Sequence, residues 1–142
     1  MTTPPPADPE GTEVLPLAVE GDVVRARHLV RALSVAAGYD LVSQTKLVTA
    51  ASELARNAVV HGGGGRMSAE RIVVDGRVGL RLVFIDEGPG MADVEQALTE
   101  GWSSGRGLGL GLSGSRRLVH EFDLRTAPGA GTRVCVVMWR RT

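Results

Sequence analysis

The 142-residue sequence predicts an α/β fold, a two-layer sandwich with a largely antiparallel sheet and helices on one face. Three observations lead there. Strand-like and helix-like apolar spacing follow one another in the order β-α-α-β-β-α-β-β. Asp75-Gly76 separates two strand-like runs and reads as a tight hairpin turn, which needs positive φ. Two further strand-like runs, joined by Pro128-Gly129-Ala130-Gly131, close the sequence.

The elements follow in order. Residues 1–12 form a Pro-rich tail, read as disordered, with neither the basic start nor the apolar stretch of a secretory signal. Residues 13–142 read as a single domain. Val14–Val19 is a first strand, and Pro16 places it at a sheet edge because proline cannot donate to a ladder. Gly21-Asp22 opens a helix with Asp22 as N-cap, and Gly38 closes it as the C′ residue. Asp40 caps the next helix, which runs to His61 and stops at Gly62-Gly63-Gly64-Gly65. Met67–Val74 and Val78–Ile85 are the strands of the Asp75-Gly76 hairpin. Met91–Glu100 has weak helical character, Gly101–Gly111 is a glycine-rich loop, and Leu110–His120 is helical with Arg116 and Arg117 exposed. Phe122–Thr126 and Thr132–Trp139 are the last strands.

Composition excludes several classes. Apolar residues make up 43% and aromatics only 4%, so the core must be aliphatic. Sixteen basic residues balance sixteen acidic ones, which disfavours nucleic acid as a partner. The single cysteine, Cys135, permits no disulfide within the chain and fits a reducing, cytoplasmic location. Within the apolar run Val134–Met138 it reads as a buried packing residue. No apolar run approaches the roughly 18 residues that span a bilayer, so no membrane partner is expected.

Three constellations carry chemistry. On the second helix Thr49, Glu53, Asn57 and His61 recur every fourth residue along one face, beside an apolar face of Leu47, Ala51, Leu54 and Ala58. Glu53 can take a proton from a hydroxyl or a water. The amide oxygen of Asn57 is a neutral hard ligand suited to Mg²⁺. A solvated helix face would show the same spacing. In the second constellation an apolar strand delivers Asp86 into the protein ahead of Glu87-Gly88-Pro89-Gly90. A carboxylate there needs a donor, of which a purine exocyclic amine is one, and Gly88 and Gly90 allow a flat ring close to the backbone. A tight turn with an exposed aspartate is the alternative. In the third, Gly105-Arg106-Gly107-Leu108-Gly109-Leu110-Gly111 opens into a helix. Glycine amides at a helix N-terminus suit phosphates, and Arg106 adds a charge. A flexible linker is the competing reading. Gly109-Leu110-Gly111-Leu112-Ser113-Gly114 also matches the dinucleotide fingerprint, but it follows a polar loop and precedes antiparallel strands, so a Rossmann unit is rejected.

Taken together, Glu53-Leu54-Ala55-Arg56-Asn57, Asp86-Glu87-Gly88-Pro89-Gly90, the Gly105–Gly111 loop and Gly131-Thr132 resemble, in that order, the boxes of the GHKL (Bergerat-fold) ATPase and kinase superfamily. Thr49–Asn57, Gly101–Gly111 and Gly114–Phe122 are similar to one branch of it, the RsbT-type switch serine/threonine kinases (anti-sigma regulatory factor kinases). The resemblance implies an ATP- and Mg²⁺-dependent protein kinase. It would phosphorylate a STAS-domain antagonist in a bacterial partner-switching stress pathway, then bind and activate a PP2C-type phosphatase. It further implies Glu53 as the catalytic base and Asn57 as the Mg²⁺ ligand. Asp86, Gly88 and Gly90 would take adenine with support from Thr132. Gly107, Gly109 and Gly111 would hold the phosphates, with Arg106, Leu108 and Leu110 also counted among the ATP-binding residues.

Three positions depart from the branch's pattern. Ser113 replaces an expected proline, His120 an aspartate and Trp102 a tyrosine. None removes a group with an implied catalytic role, and they bear on partner choice. No phosphoacceptor helix accompanies His61, which argues against a kinase that phosphorylates itself on histidine. Two other functions fit the same boxes: an anti-sigma factor that sequesters a sigma factor, and a non-catalytic ATP-dependent scaffold.

Overall fold

The computed structural model describes residues 12–90 and 109–141. Five strands and three helices are present among them: β1 (Thr12–Leu17), α1 (Glu20–Ala36), α2 (Leu41–Val60), β2 (Gly65–Val74), β3 (Arg77–Asp86), α3 (Gly109–Leu118), β4 (Glu121–Thr126) and β5 (Thr132–Trp139). The strands form one sheet in the order β1-β2-β3-β5-β4, with every neighbouring pair antiparallel. The Pro-rich tail lies outside the described residues, save Thr12, which opens β1. So does the weak helix expected over 91–100.

Local chemistry explains the boundaries. β1 holds Pro16 and is an edge strand. Helix α1 starts at Glu20 with Val19 as its N-cap, three residues before the expected cap at Asp22. Asp22 instead sits in the first turn and reaches back, its Oδ2 accepting from the Ala18 and Val19 N–H groups at 2.8 and 3.0 Å. Its Oδ1 accepts from Arg25. These donors, the Ala18 and Val19 amides foremost, hold its pKa at about 2. Gly38 at φ +83 ends α1 as the C′ residue, and Asp40 caps α2 by accepting from the Ser43 N–H at 2.7 Å. Asp75 and Gly76 take φ of 52° and 78°, the paired positive values of a type I′ turn between β2 and β3.

Helix α2 is the centre of the helical layer, with α1 and α3 on either side and the sheet beneath. Strand alternation sends one set of side chains toward it: Met67 and Ala69 from β2, Leu80, Leu82 and Phe84 from β3, Val134, Val136 and Met138 from β5. Leu47, Ala51, Leu54 and Ala58 meet them from α2, all buried as their spacing predicts. The buried Tyr39 ties the α1–α2 corner to the end of β5, its hydroxyl donating to the Met138 carbonyl. Burial pushes its pKa up to about 12. The other sheet face carries polar pairs such as Glu70 with Arg81, where Arg81 Nε donates at 2.6 Å. Cys135 belongs to this second face, half-buried beside Val83 and Asp123, and not to the core expected for it. Burial still raises its thiol pKa. No helix among the described residues is long and apolar enough to cross a membrane.

Candidate functional site

The last turn of α2 meets the end of β3, and glycines make the meeting possible. The Asn57 carbonyl accepts from the N–H groups of His61 and Gly62 at 2.9 and 3.1 Å, closing the helix. Gly62 then packs on Asp86: a β-carbon at Gly62 would lie 2.6 Å from the Asp86 β-carbon and from Oδ2. Gly88 packs on Gly62 in turn, since a β-carbon there would come within 2.7 Å of the Gly62 backbone. The end of the Glu53–Asn57 helix and the Asp86–Gly90 turn are therefore in direct contact and line one candidate site.

Asp86 is held from three directions. Its Oδ1 accepts from the Gly88 N–H at 2.9 Å. Partial burial raises its pKa, and the Gly88 hydrogen bond opposes that rise. Thr132 stands directly across from it in the β3–β5 ladder. The Gly131 backbone packs on the Asp86 carbonyl and the Glu87 Cα with φ at +74, so neither a side chain nor ordinary backbone would fit there. Thr126, at the end of β4, donates to the Gly131 carbonyl at 2.7 Å and lies 3.0 Å from the Thr132 hydroxyl. Gly90, also left-handed at φ +72, would strike the Ala127 carbonyl with any side chain. The turn after β3 and the β4–β5 loop are thus locked together, with the Gly129 N–H donating to the Pro89 carbonyl at 2.7 Å.

On α2, Glu53 and Asn57 are half-buried one turn apart. Glu53 makes no hydrogen bond or ion pair among the described residues. The Asn57 amide oxygen is buried and also lacks a partner there. Such an acceptor costs stability unless something fills its lone pairs, so it fits a metal or a metal-bound water. Arg56, between them in sequence, turns toward α1 and donates to Glu20 at 3.1 Å. Thr49 is exposed, and His61 is the exposed C-cap. The four-residue seam is therefore not uniform: its two middle members are half-buried and its two ends are exposed.

Arg106, Gly107 and Leu108 lie outside the described residues, as does Trp102. Helix α3 begins at Gly109, one residue before the Leu110 start expected for it, and ends at Leu118, two residues short of His120. Helix α3 packs on α2 through the buried Leu112, Ser113 and Ser115, and both serine hydroxyls lack a partner among the described residues. Sequence reading gave no part in the site to Gly62, Thr126 or Ser115, and noted Ser113 only as a departure bearing on partner choice. Only the glycine left a legible trace, inside a run of four.

Comparison with known proteins agrees with this fold. Residues 42–142 match the family of histidine kinase-, DNA gyrase B-, and HSP90-like ATPases. The serine/threonine-protein kinase RsbT of Bacillus subtilis (strain 168) is 38% identical over 125 residues, covering 88% of this chain and 94% of RsbT. Among solved structures, the RsbU and RsbW domains of a Mycobacterium tuberculosis protein share the fold at a TM-score of 0.62 and 20% identity. That match covers 92% of this chain and only 33% of the longer one. A blue-light activated histidine kinase domain from Erythrobacter litoralis aligns over 84% of this chain and 59% of its own, at a TM-score of 0.52 and 18% identity. The chain belongs to the histidine kinase-, DNA gyrase B- and HSP90-like ATPases and, within them, to the RsbT-type serine/threonine-protein kinases.

Proposed function

We propose that this kinase works in a cytoplasmic partner-switching module: it phosphorylates a serine or threonine of a STAS-domain antagonist, then binds and activates a PP2C-type phosphatase. The observation that carries the reading is the pairing of Glu53 and Asn57 on a rigid helix whose end packs, through Gly62, on Asp86.

Each group has a role that its surroundings allow. Asp86 accepts a hydrogen bond from the adenine amine, with Gly88 and Gly90 leaving room for the ring. Thr132 and Thr126 keep the β4–β5 loop against that pocket. The amide oxygen of Asn57, buried without a partner among the described residues, would hold Mg²⁺. Mg²⁺, when bound, neutralises charge on the phosphates. Arg106 and the amides from Gly107 to Gly111 hold the phosphates at the start of α3. Glu53 takes the proton of the protein hydroxyl as its oxygen bonds the γ-phosphorus and the bond to the β-phosphate oxygen breaks. Positioning and charge supply most of the rate in such transfers.

The test is transfer of labelled phosphate from Mg-ATP to the STAS-domain protein encoded nearest this kinase. Glu53→Gln is expected to lower the rate by about 10²–10⁴ while ATP still binds. Absence of transfer by the wild type, or undiminished transfer by the variant, would sink the reading. Recovery of a sigma factor and no phosphatase in a pull-down would replace the phosphatase step.

A further inference from the structure

A basic pocket lies at the opposite end of the sheet from Asp86. There a cavity of about 310 Å³ is lined by Arg77, His120, Trp139, Arg140 and Arg141. Arg77 and Asp86 are the two ends of β3, about 30 Å apart at the rise of a strand.

The aromatic floor is held in place. Gly79 leaves room for the Trp139 ring, since a β-carbon there would lie 2.8 Å from it. The Arg77 guanidinium covers that ring at 4.7 Å from the centroid. The indole N–H donates to Glu121 at 2.8 Å, and the Trp139 backbone N–H donates to His120 Nδ1 at 2.8 Å. That second bond occupies Nδ1 as an acceptor, so Nε2 bears the ring proton and is itself a donor.

The charges around this floor are unmatched. Arg25, Arg56, Arg81 and Arg125 each pair with a carboxylate. Arg77, Arg140 and Arg141 pair with none among the described residues. Two acidic groups at this end have other duties: Glu121 takes the indole N–H, and Asp40 caps α2 with Arg141 in electrostatic reach, while Asp75 sits in the turn before Arg77 without an ion pair to it. Arg140 spends one N–H on the Ala37 carbonyl at 3.1 Å, which fixes it to the α1–α2 corner. Next to that corner Val35, Leu41 and Val42 are 57%, 69% and 59% exposed. Cationic pocket and apolar corner are thus neighbours.

We propose that this end of the molecule docks an acidic segment of a partner protein, carboxylates in the arginine pocket and apolar side chains on the Val35–Leu41–Val42 corner. Guanidinium forks match carboxylates, and Arg beside Trp is the composition of interface anchors. A free small anion would leave the apolar corner unexplained. A bilayer would call for a projecting aromatic, whereas Trp139 is half-buried under Arg77 and tied to Glu121.

The test uses the ¹⁵N-labelled full chain without nucleotide, so its outcome is separate from that of any phosphotransfer assay. The probe is a synthetic peptide alternating glutamate and leucine. The expected result is a saturable shift of the Trp139 indole and of the His120 and Arg141 amides. Affinity should fall about tenfold in the Arg77→Ala/Arg141→Ala double variant, and fall again with added salt. Both arginines are exposed and neither makes an ion pair among the described residues, so the variant should lose little more than the Arg77 contact with the Trp139 ring and should stay folded. Should it unfold, Leu41→Ser reads the apolar half alone and should weaken the peptide severalfold. Three results would overturn the proposal: no shift at these residues, inorganic phosphate binding there as tightly as the peptide, or sedimentation with phosphatidylglycerol vesicles that the double variant abolishes.

Discussion

Gly62 lies flush against Asp86, close enough that a β-carbon would sit 2.6 Å from the carboxylate Oδ2. The requirement is steric, because Gly62 is outside the left-handed region that Gly63 and Gly64 occupy at φ +71 and +107. The glycine run after α2 therefore divides its labour. Gly62 lets the helix carrying Asn57 reach the turn carrying Asp86. Gly63 and Gly64 reverse the chain. Gly65 fits beneath the Ile85 carbonyl as β2 begins.

Gly62→Ala should push Asp86 out of place. Overpacking of this kind costs about 1–3 kcal/mol of stability. The larger effect should be on the nucleotide, with ATP affinity falling by about tenfold or more, since each 1.4 kcal/mol is a factor of ten. Titration calorimetry beside a thermal melt separates the two. A variant that binds ATP like the wild type would show that the contact does not position Asp86.

Most of the fold was legible because its boundaries are set by local chemistry. Pro16, Gly38, Asp40 and Asp75-Gly76 act through φ, a missing N–H or a side-chain cap, and each stands where its type predicts. Asp22 misled because an acidic residue in a first turn and an N-cap look alike in sequence; only the direction of its side chain separates them. Cys135 misled for a related reason. In a run as apolar as Val134–Met138, alternation between two faces is invisible, and the register with Val83 and Asp123 decides.

Asp86→Asn should trade function for stability. Partial burial raises the Asp86 pKa, so folding at neutral pH carries a cost for the ionised carboxyl. A raised pKa favours folding below the unfolded value and gives that advantage up as pH climbs through the folded value. Asparagine keeps an oxygen for the Gly88 N–H and has no charge to bury. The variant should therefore melt higher than the wild type near neutral pH, and the gap should close as the wild type protonates. Its ATP affinity should fall by about tenfold, the loss of one charge-assisted hydrogen bond. Melts across pH paired with ATP titrations check both halves.

The site was less legible than the fold, because spacing along one helix cannot tell a wall from a solvated face. Thr49 and His61 share the repeat of Glu53 and Asn57, yet Thr49 is exposed and His61 is only the cap. What separates the pairs is a contact distant in sequence, Gly62 on Asp86. The Thr126–Gly131–Thr132 bonds arise the same way, from β4 and β5 lying side by side.

Asn57→Leu tests the metal reading. The amide oxygen is buried without a partner among the described residues, so its removal should leave the nucleotide-free protein as stable as before, or up to about 1–3 kcal/mol more stable. ATP titrated with Mg²⁺ should bind about tenfold more weakly than to the wild type. ATP titrated in chelator should bind both proteins alike. Equal loss in both conditions would assign Asn57 to the nucleotide and not to the ion.

Asp22 should dominate the acid limb of stability. Its pKa stands at about 2, well under the ordinary value of roughly 3.9, because the Ala18 and Val19 N–H groups and Arg25 all favour the charged form. A depressed pKa stabilises the fold above the unfolded value, and that contribution drains away as pH falls through the folded one. The wild-type melting temperature should thus drop between about pH 4 and pH 2. In Asp22→Asn the amide oxygen can still accept from the backbone but carries no charge for the start of α1 or for Arg25. That variant should melt lower at neutral pH, show a flatter acid limb, and converge on the wild type near the Asp22 pKa. Asp40, also lowered by its bonds to Ser43, should supply the slope that remains, so Asp22→Asn/Asp40→Asn should be flatter still. Parallel acid limbs for wild type and Asp22→Asn would mean that the three donors leave the carboxyl no better off folded than unfolded.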